Sequence, residues 1–298
     1  MDPILIVGGE NDPNIASIAG RMEERGIAGR KLLFGPTSNP ALTWDFQSDR
    51  LTVDGREVCA RSLFIRYDVF NHMADPRDAV AFRAQAWHTV LQGWALAHDR
   101  VRYLNRDYAG QTNKPFMLSL AAQVGLPVPW TLMTNELDTL DALAADREMI
   151  AKPVPGGGYT QELSAMLRDT ERREGKSAAP GIVQRRLANP EVRIYGVGEG
   201  ESRRWIPFEV RSDVLDYRTS KETRVIPVPA EEIDPALLAA LGRLMDRLGM
   251  DYGASDFKTD PETGGLRFLE INSGPMFVAF DNASGHAVSD AILDHLTR

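Results

Sequence analysis

Gly253-Ala254-Ser255-Asp256-Phe257 and Phe268-Leu269-Glu270-Ile271-Asn272 carry most of the information in this chain. They read as parts of two adjacent strands, Gly253 to Asp260 and Leu266 to Asn272, joined by Pro261-Glu262-Thr263-Gly264-Gly265. Period-two geometry puts Glu270 and Asn272 on one face of their strand and turns Leu269 and Ile271 to a buried opposite face. If Asp260 pairs with Leu266 across the loop, Asp256 falls opposite Glu270; a slip of one residue turns it to the other face. In the first register two carboxylates and an amide oxygen converge. That oxygen-only set suits Mg²⁺, which keeps waters and bridges substrate phosphates. The alternative for each of these residues is an exposed polar position on an edge strand.

A metal of that kind asks for a polyphosphate, and two lysines supply the complement. Lys152 ends the apolar strand Met149 to Lys152, just before Pro153-Val154-Pro155-Gly156-Gly157-Gly158-Tyr159, where backbone N–H groups can face phosphate oxygens. Lys114 lies in the first turn of a helix, where the macrodipole disfavours a cation unless an anion is near. The glycine run lacks the Gly-Lys-Ser/Thr of a Walker loop, and Gly8-Gly9 lacks dinucleotide-fingerprint spacing, so the latter reads as a strand-to-helix turn.

Upstream of these residues, strand and helix signals alternate. Ile4 to Val7, Leu32 to Phe34 and Leu63 to Ile65 are short apolar strands, and residues 43–58 read as a hairpin around Asp54-Gly55. A helix runs from Pro13 to Arg25. A longer one is expected to open with Asp75 as N-cap and Pro76, burying Val80, Ala84, Trp87, Leu91 and Trp94. A second unit starts near Thr112, with a helix to Val124, a strand from Trp130 and a helix over residues 136–145. The charged run from Arg168 to Ala179 reads as a mobile loop. Strands over 181–187, 192–197 and 204–211 follow, then a capped helix from Asp234-Pro235 to Leu248 and a short closing helix from Val288.

Composition narrows the function classes. The 298 residues carry 34 Lys+Arg against 42 Asp+Glu, a net charge of −8, which disfavours non-specific binding to nucleic acid or anionic membrane. The single cysteine, Cys59, excludes an intramolecular disulfide and a thiolate zinc cluster, and its place beside Val58 suggests a buried or half-buried packing role. Met1 to Gly9 lacks the features of a signal peptide, and no apolar run approaches the roughly 18–20 residues of a membrane span. A cytoplasmic location is the expectation. His72, His88, His98, His286 and His295 show no metal-ligand spacing, although His286 follows the Glu-x-Asn strand closely. Arg61, Arg66 and Arg77 suggest a basic patch fit for an acidic peptide, if they are not simply solvated.

With these residues in view, the chain resembles the ATP-grasp superfamily over about Asn105 to Arg298. The resemblance is carried by Thr112-Asn113-Lys114, Ile150-Ala151-Lys152-Pro153 with its glycine loop, Val183-Gln184-Arg185-Arg186-Leu187 and Glu191-Val192-Arg193. It continues through the two stretches quoted first. Within the superfamily the chain is most similar to ribosomal-protein glutamate ligases and microviridin-type graspetide synthetases. Asp216-Tyr217-Arg218 resembles the Asp-Trp-Arg signature of the latter, with Tyr217 in place of Trp.

The resemblance implies an α/β (α+β) chain with the ATP-grasp fold. Its parts would be a small N-terminal α/β domain over 1–108, a central lid subdomain over 109–183 and a C-terminal antiparallel-sheet nucleotide domain over 184–298. It also implies that Lys114 and Lys152 hold phosphates while Gly156, Gly157 and Gly158 close over them. Gln184, Arg186 and Leu187 would receive adenine, mostly through backbone groups, and Glu191 would face the ribose. Arg193 and Arg218 would stabilise the transferring phosphoryl group, and Asp256, Glu270 and Asn272 would bind two Mg²⁺ ions, with Mn²⁺ as a substitute.

The implied activity is ATP-dependent joining of a carboxylate to an amine or hydroxyl through an acyl phosphate. The substrate would be the side-chain carboxylates of an acidic precursor peptide. Two alternatives stay open: a ligase condensing free amino acids or small metabolites, and a non-catalytic nucleotide-binding regulatory subunit. No nucleic-acid or membrane partner is expected, and a homodimer is the commonest assembly by base rate.

Overall fold

The structure, a computed structural model, describes residues 4–108, 113–145, 148–154, 160–212 and 222–298. Its first part runs β1 (Ile4–Gly9), α1 (Pro13–Glu24), β2 (Gly29–Phe34), β3 (Leu42–Asp45), β4 (Arg50–Val53), β5 (Arg56–Glu57), β6 (Ser62–Ile65), α2 (Phe70–Ala74), α3 (Asp78–Ala97) and β7 (Arg102–Tyr103). Strands β2-β1-β6-β7 form a parallel sheet in that order. The apolar run Ile4 to Val7 suits the central position of β1, which is buried throughout.

Three local expectations are corrected here. Gly8 and Gly9 belong to β1 and not to a turn: a Cβ on Gly8 would lie 2.5 Å from the Ile15 side chain, and one on Gly9 2.3 Å from the Asp68 carboxyl. The glycines permit close approach of neighbouring side chains. Asp54 and Gly55 do take the paired positive φ of a two-residue turn (51° and 72°), but it joins β4 to β5, and the larger hairpin is β3–β4. Asp75 ends α2 and does not cap α3; Pro76 breaks the chain between two helices, and α3 starts at Asp78 without a side-chain cap. The stripe expected for α3 is its inward face, with Val80, Ala84, Leu91 and Trp94 buried and Trp87 half-buried.

The second part comprises α4 (Lys114–Gln123), β8 (Thr131–Glu136), α5 (Leu137–Ala144), β9 (Met149–Pro153), β10 (Gln161–Glu162), α6 (Leu163–Arg168) and β11 (Lys176–Arg185). Its antiparallel sheet has the order β10-β9-β11-β8, and a small core of Leu137, Leu140, Leu163, Leu167 and Val183 holds α5 and α6 to it. The stretch Arg168 to Ala179 is not all loop, because β11 already begins at Lys176. Its first half is an exposed edge ladder with little apolar content, so hydrophobic pattern gives no sign of it.

Third come β12 (Ala188–Val197), β13 (Arg204–Arg211), β14 (Arg224–Pro227), α7 (Pro235–Leu248), β15 (Tyr252–Thr259), β16 (Leu266–Asn272), α8 (Val278–Ala283) and α9 (Ala287–Thr297). The antiparallel sheet β14-β13-β12-β15-β16 has α4 and α7 on one face, where Met117, Leu120, Leu241 and Leu244 meet Ile194, Phe257 and Phe268. On the other face Tyr195, Phe208 and Phe280 share a core with Ile292 of α9 and with Ile4 and Ile18 of the first part. Helix α8 had no sequence expectation.

Helix α7 shows both caps its sequence suggests. Asp234 accepts from the Ala236 N–H, and Gly249 turns left-handed at φ 67°. A Cβ at Gly249 would stand 2.5 Å from the Asp107 carbonyl oxygen. Gly249→Ala is therefore expected to lower the thermal midpoint, at a cost of about 1–2 kcal/mol or more. Gly264→Ala is the control: it has the same kind of φ and nothing within 4 Å of its Cβ, and should cost less.

Candidate active site

Asp256 pairs with Glu270 across β15–β16, as required for convergence, but by a different route from the one expected. The ladder starts one step out of phase, with Thr259 opposite Leu266, Lys258 opposite Arg267 and Phe257 opposite Phe268. A bulge at Leu269 then restores Asp256 opposite Glu270, Ser255 opposite Ile271 and Ala254 opposite Asn272. The bulge also corrects the expected burial: Phe268 and Ile271 fill the core beneath, while Leu269 is only half-buried.

The neighbouring strand completes the face. Arg193 of β12 lies opposite Asp256 in the ladder, with its Nη1 3.6 Å from Asp256 Oδ1, and Glu191 sits beside Lys258 with Nζ–Oε2 of 3.3 Å. The Arg193 guanidinium stands 5.2 Å from the Phe280 ring centroid and 5.6 Å from that of Tyr195. Asn272 donates from Nδ2 to Asp256 Oδ2 at 3.3 Å, so its amide oxygen is not the atom used against the carboxylate.

Lys114 reaches this face from the first turn of α4, where Asn113 is the N-cap and accepts from the Phe116 N–H. Its Nζ lies 3.3 Å from Glu270 Oε2. Burial acts to raise the Glu270 carboxyl, but the charges of Lys114 and Lys152 outweigh it and hold the group below its ordinary value. Lys152, on β9 of the central sheet, senses Glu270, Glu191, Lys114 and Lys258. Desolvation dominates, with the neighbouring ammonium groups adding to it, and pushes Lys152 down to about 8.

The structure thus gathers Lys114, Lys152, Glu191, Arg193, Asp256, Glu270 and Asn272 into one region. It adds Lys258, which the sequence reading missed although it lies two residues beyond Asp256 on the same strand face. Gln184 is buried in β11, its Nε2 donating to Thr131 Oγ1 at 2.9 Å. Leu187 is half-buried between β11 and β12; the Arg186 side chain is exposed, 3.5 Å from Glu162, and the Arg186 backbone N–H donates to the Glu148 carbonyl. Gly156, Gly157, Gly158 and Arg218 lie outside the described residues.

Among the described residues no three His, Cys, Asp or Glu side chains form a dedicated metal cage. Two carboxylates and an amide oxygen on one sheet face fit Mg²⁺ better, an ion that takes its remaining ligands from water and phosphate.

Other candidates fall away. His98 bridges the Trp94 carbonyl (2.7 Å) and Asp49 (2.9 Å), His295 pairs with Asp251 (2.8 Å), and His286 pairs with Asp281 (3.2 Å) at the start of α9. Cys59 is exposed, contrary to expectation. The basic patch is not formed as expected, since Arg77 pairs with Asp75 and Arg66 is buried against Asp12. No described helix is long and apolar enough to cross a membrane.

No protein-family model and no curated protein matches the chain. Solved structures do match over nearly its whole length. The ATP-grasp ligase PsnB complexed with minimal precursor superposes with a TM-score of 0.76 at 24% identity, covering 99% of this chain and 98% of that one. The macrocyclase MdnC bound with precursor peptide MdnA, from Microcystis aeruginosa MRC, gives 0.70 at 20% identity with 99% of each chain covered. D-alanyl-alanine synthetase A from Vibrio cholerae gives 0.63 at 14% identity, covering 100% of this chain and 98% of that one. The succession of a parallel sheet and the two larger antiparallel sheets, matched from end to end by these ligases, gives this chain the ATP-grasp fold.

Proposed function

We propose that the protein is an ATP-dependent ligase that activates a side-chain carboxylate of a peptide as an acyl phosphate and passes it to an amine or hydroxyl. The observation that carries this is the convergence of Asp256, Glu270 and Asn272 on one sheet face, ringed by Lys114, Lys152 and Arg193. A peptide substrate is favoured because PsnB and MdnC, each in complex with a precursor peptide, superpose better than the D-alanyl-alanine synthetase. The three units suggested for it are 1–108, 109–183 and 184–298.

In the first step a carboxylate oxygen attacks the γ-phosphorus, the bond to the bridging oxygen of the β-phosphate breaks, and ADP leaves. An amine or hydroxyl then attacks the acyl carbon, loses its proton and expels phosphate. Both partners of the first step are anions, so their approach needs positive charge fixed in place beforehand. Lys114 and Lys152 supply it toward the phosphates, and Arg193 toward the transferring group. Asp256, Glu270 and Asn272 would hold two Mg²⁺ ions, which supply Lewis-acid screening of the triphosphate when bound. Gln184, Arg186 and Leu187 would border the adenine, Glu191 the ribose, Arg218 would join Arg193 at the transferring group, and Gly156–Gly158 would close over the phosphates. PsnB has been captured with Mg and ADP.

The test is ADP release with Mg²⁺ and a panel of Asp/Glu-rich peptides, read with the peptide mass. Loss of one water per link supports the proposal. A new condensation product from free amino acids would move the substrate class, and nucleotide binding without turnover on any carboxylate would overturn the enzyme reading.

A further inference from the structure

Every residue of Ser273–Phe277, the loop that leaves β16 directly after Asn272, is tied through its backbone to a side chain from elsewhere. Asn105 Nδ2 donates to the Ser273 carbonyl at 2.9 Å. Arg66 Nη1 donates to the carbonyls of Gly274 (3.3 Å) and Pro275 (2.8 Å). The Tyr195 hydroxyl donates to the Met276 carbonyl at 2.7 Å, and the Phe277 N–H donates to Asn14 Oδ1 at 2.8 Å.

Two of these anchors are one unit. Arg66 Nε donates to Asp12 Oδ2 at 3.0 Å, and Asn14 Nδ2 donates to Asp12 Oδ1 at 2.8 Å, all three residues being buried. An ion pair at 7% and 0% side-chain exposure carries a desolvation cost that an apolar pair would avoid. Packing alone gives no reason for it.

We propose that Arg66 is a positioning residue for the carboxylate–amide face. Gripping the carbonyls of Gly274 and Pro275, it fixes the end of β16 and hence the Asn272 amide, whose nitrogen faces Asp256 and whose oxygen is left for the metal. Tyr195 serves the same end from β12. The inference rests on the magnesium reading of that face.

Arg66→Lys keeps the charge but loses the planar fork that reaches Asp12 and two carbonyls together. Tyr195→Phe keeps the ring and removes one hydrogen bond. The measurement is ADP binding by calorimetry over a Mg²⁺ series, with a metal-free arm in chelator. Arg66→Lys should raise the Mg²⁺ concentration for half-maximal tightening about 10-fold, and Tyr195→Phe about 3-fold, with metal-free ADP affinity unchanged in both.

A loop that matters only for stability would lower the melting temperature and leave the Mg²⁺ requirement as in the parent, which would overturn the proposal. If Arg66→Lys fails to fold, Tyr195→Phe decides alone. A parent protein whose ADP binding ignores Mg²⁺ would instead overturn the magnesium reading, and this inference with it.

Discussion

Glu270→Gln is expected to lower ATP-dependent turnover by on the order of 100-fold while leaving the fold intact. The substitution is nearly isosteric, and the side chain is 32% exposed, so little packing is lost. What disappears is the charge. Glu270 is ion-paired with Lys114, it is held ionised by Lys114 and Lys152 against the effect of its own burial, and it stands opposite Asp256. Without it the face keeps Asp256, already engaged by Arg193 at 3.6 Å, and the neutral Asn272.

Asn272→Ala removes the third oxygen and should give a loss of similar order. If these side chains act on the same ion sites, as proposed, the double variant should be little worse than the worse single one. ADP release under saturating Mg²⁺, with circular dichroism as the folding control, measures this. Turnover within about 3-fold of the parent for either single variant would break the assignment.

Counting along the two strands from a pairing of Asp260 with Leu266 brings Asp256 opposite Glu270, although that pairing does not occur. The bulge at Leu269 absorbs the error. A bulge has no composition signature; it is required here because Phe268 and Ile271, three residues apart, both enter the core beneath the sheet. The caps of α7 and the buried stripe of α3 were readable because each depends on residues a few positions apart.

Lys152 beside Glu270 is different in kind. The two lie on separate sheets, and in the sequence only the chemistry of a metal-bound polyphosphate, together with the resemblance to known ligases, connects them. Arg66 shows the opposite failure. As a charged residue beyond a strand it reads as surface, yet Asp12 and two carbonyls make its burial tolerable. No local pattern announces partners so distant in the chain.

Lys152 also carries the second large prediction, a pH dependence of nucleotide binding. In the free protein its ammonium is desolvated and flanked by Lys114 and Lys258, which brings it down to about 8 from 10.5. For the folding equilibrium the sign is as follows. Below about 8 the group is charged in both folded and unfolded chains, and the full penalty for burying it is present. Between about 8 and 10.5 the unfolded chain holds more protons, so stability from this group rises with pH.

Nucleotide binding runs the other way. A phosphate beside Lys152 favours the ammonium and restores its affinity for the proton, so above about 8 binding must take up a proton. Affinity for Mg·ADP should then fall as pH rises from 8 toward 10, approaching tenfold per unit while the free lysine is neutral and the bound one charged. Calorimetry at pH 8.5 in two buffers of different ionisation enthalpy should register that uptake directly. Lys152→Met should abolish it, weaken binding at pH 7 by on the order of 10- to 100-fold, and flatten the profile above 8. Uptake of the same size in Lys152→Met would assign the proton to another group and remove Lys152 from the phosphate site.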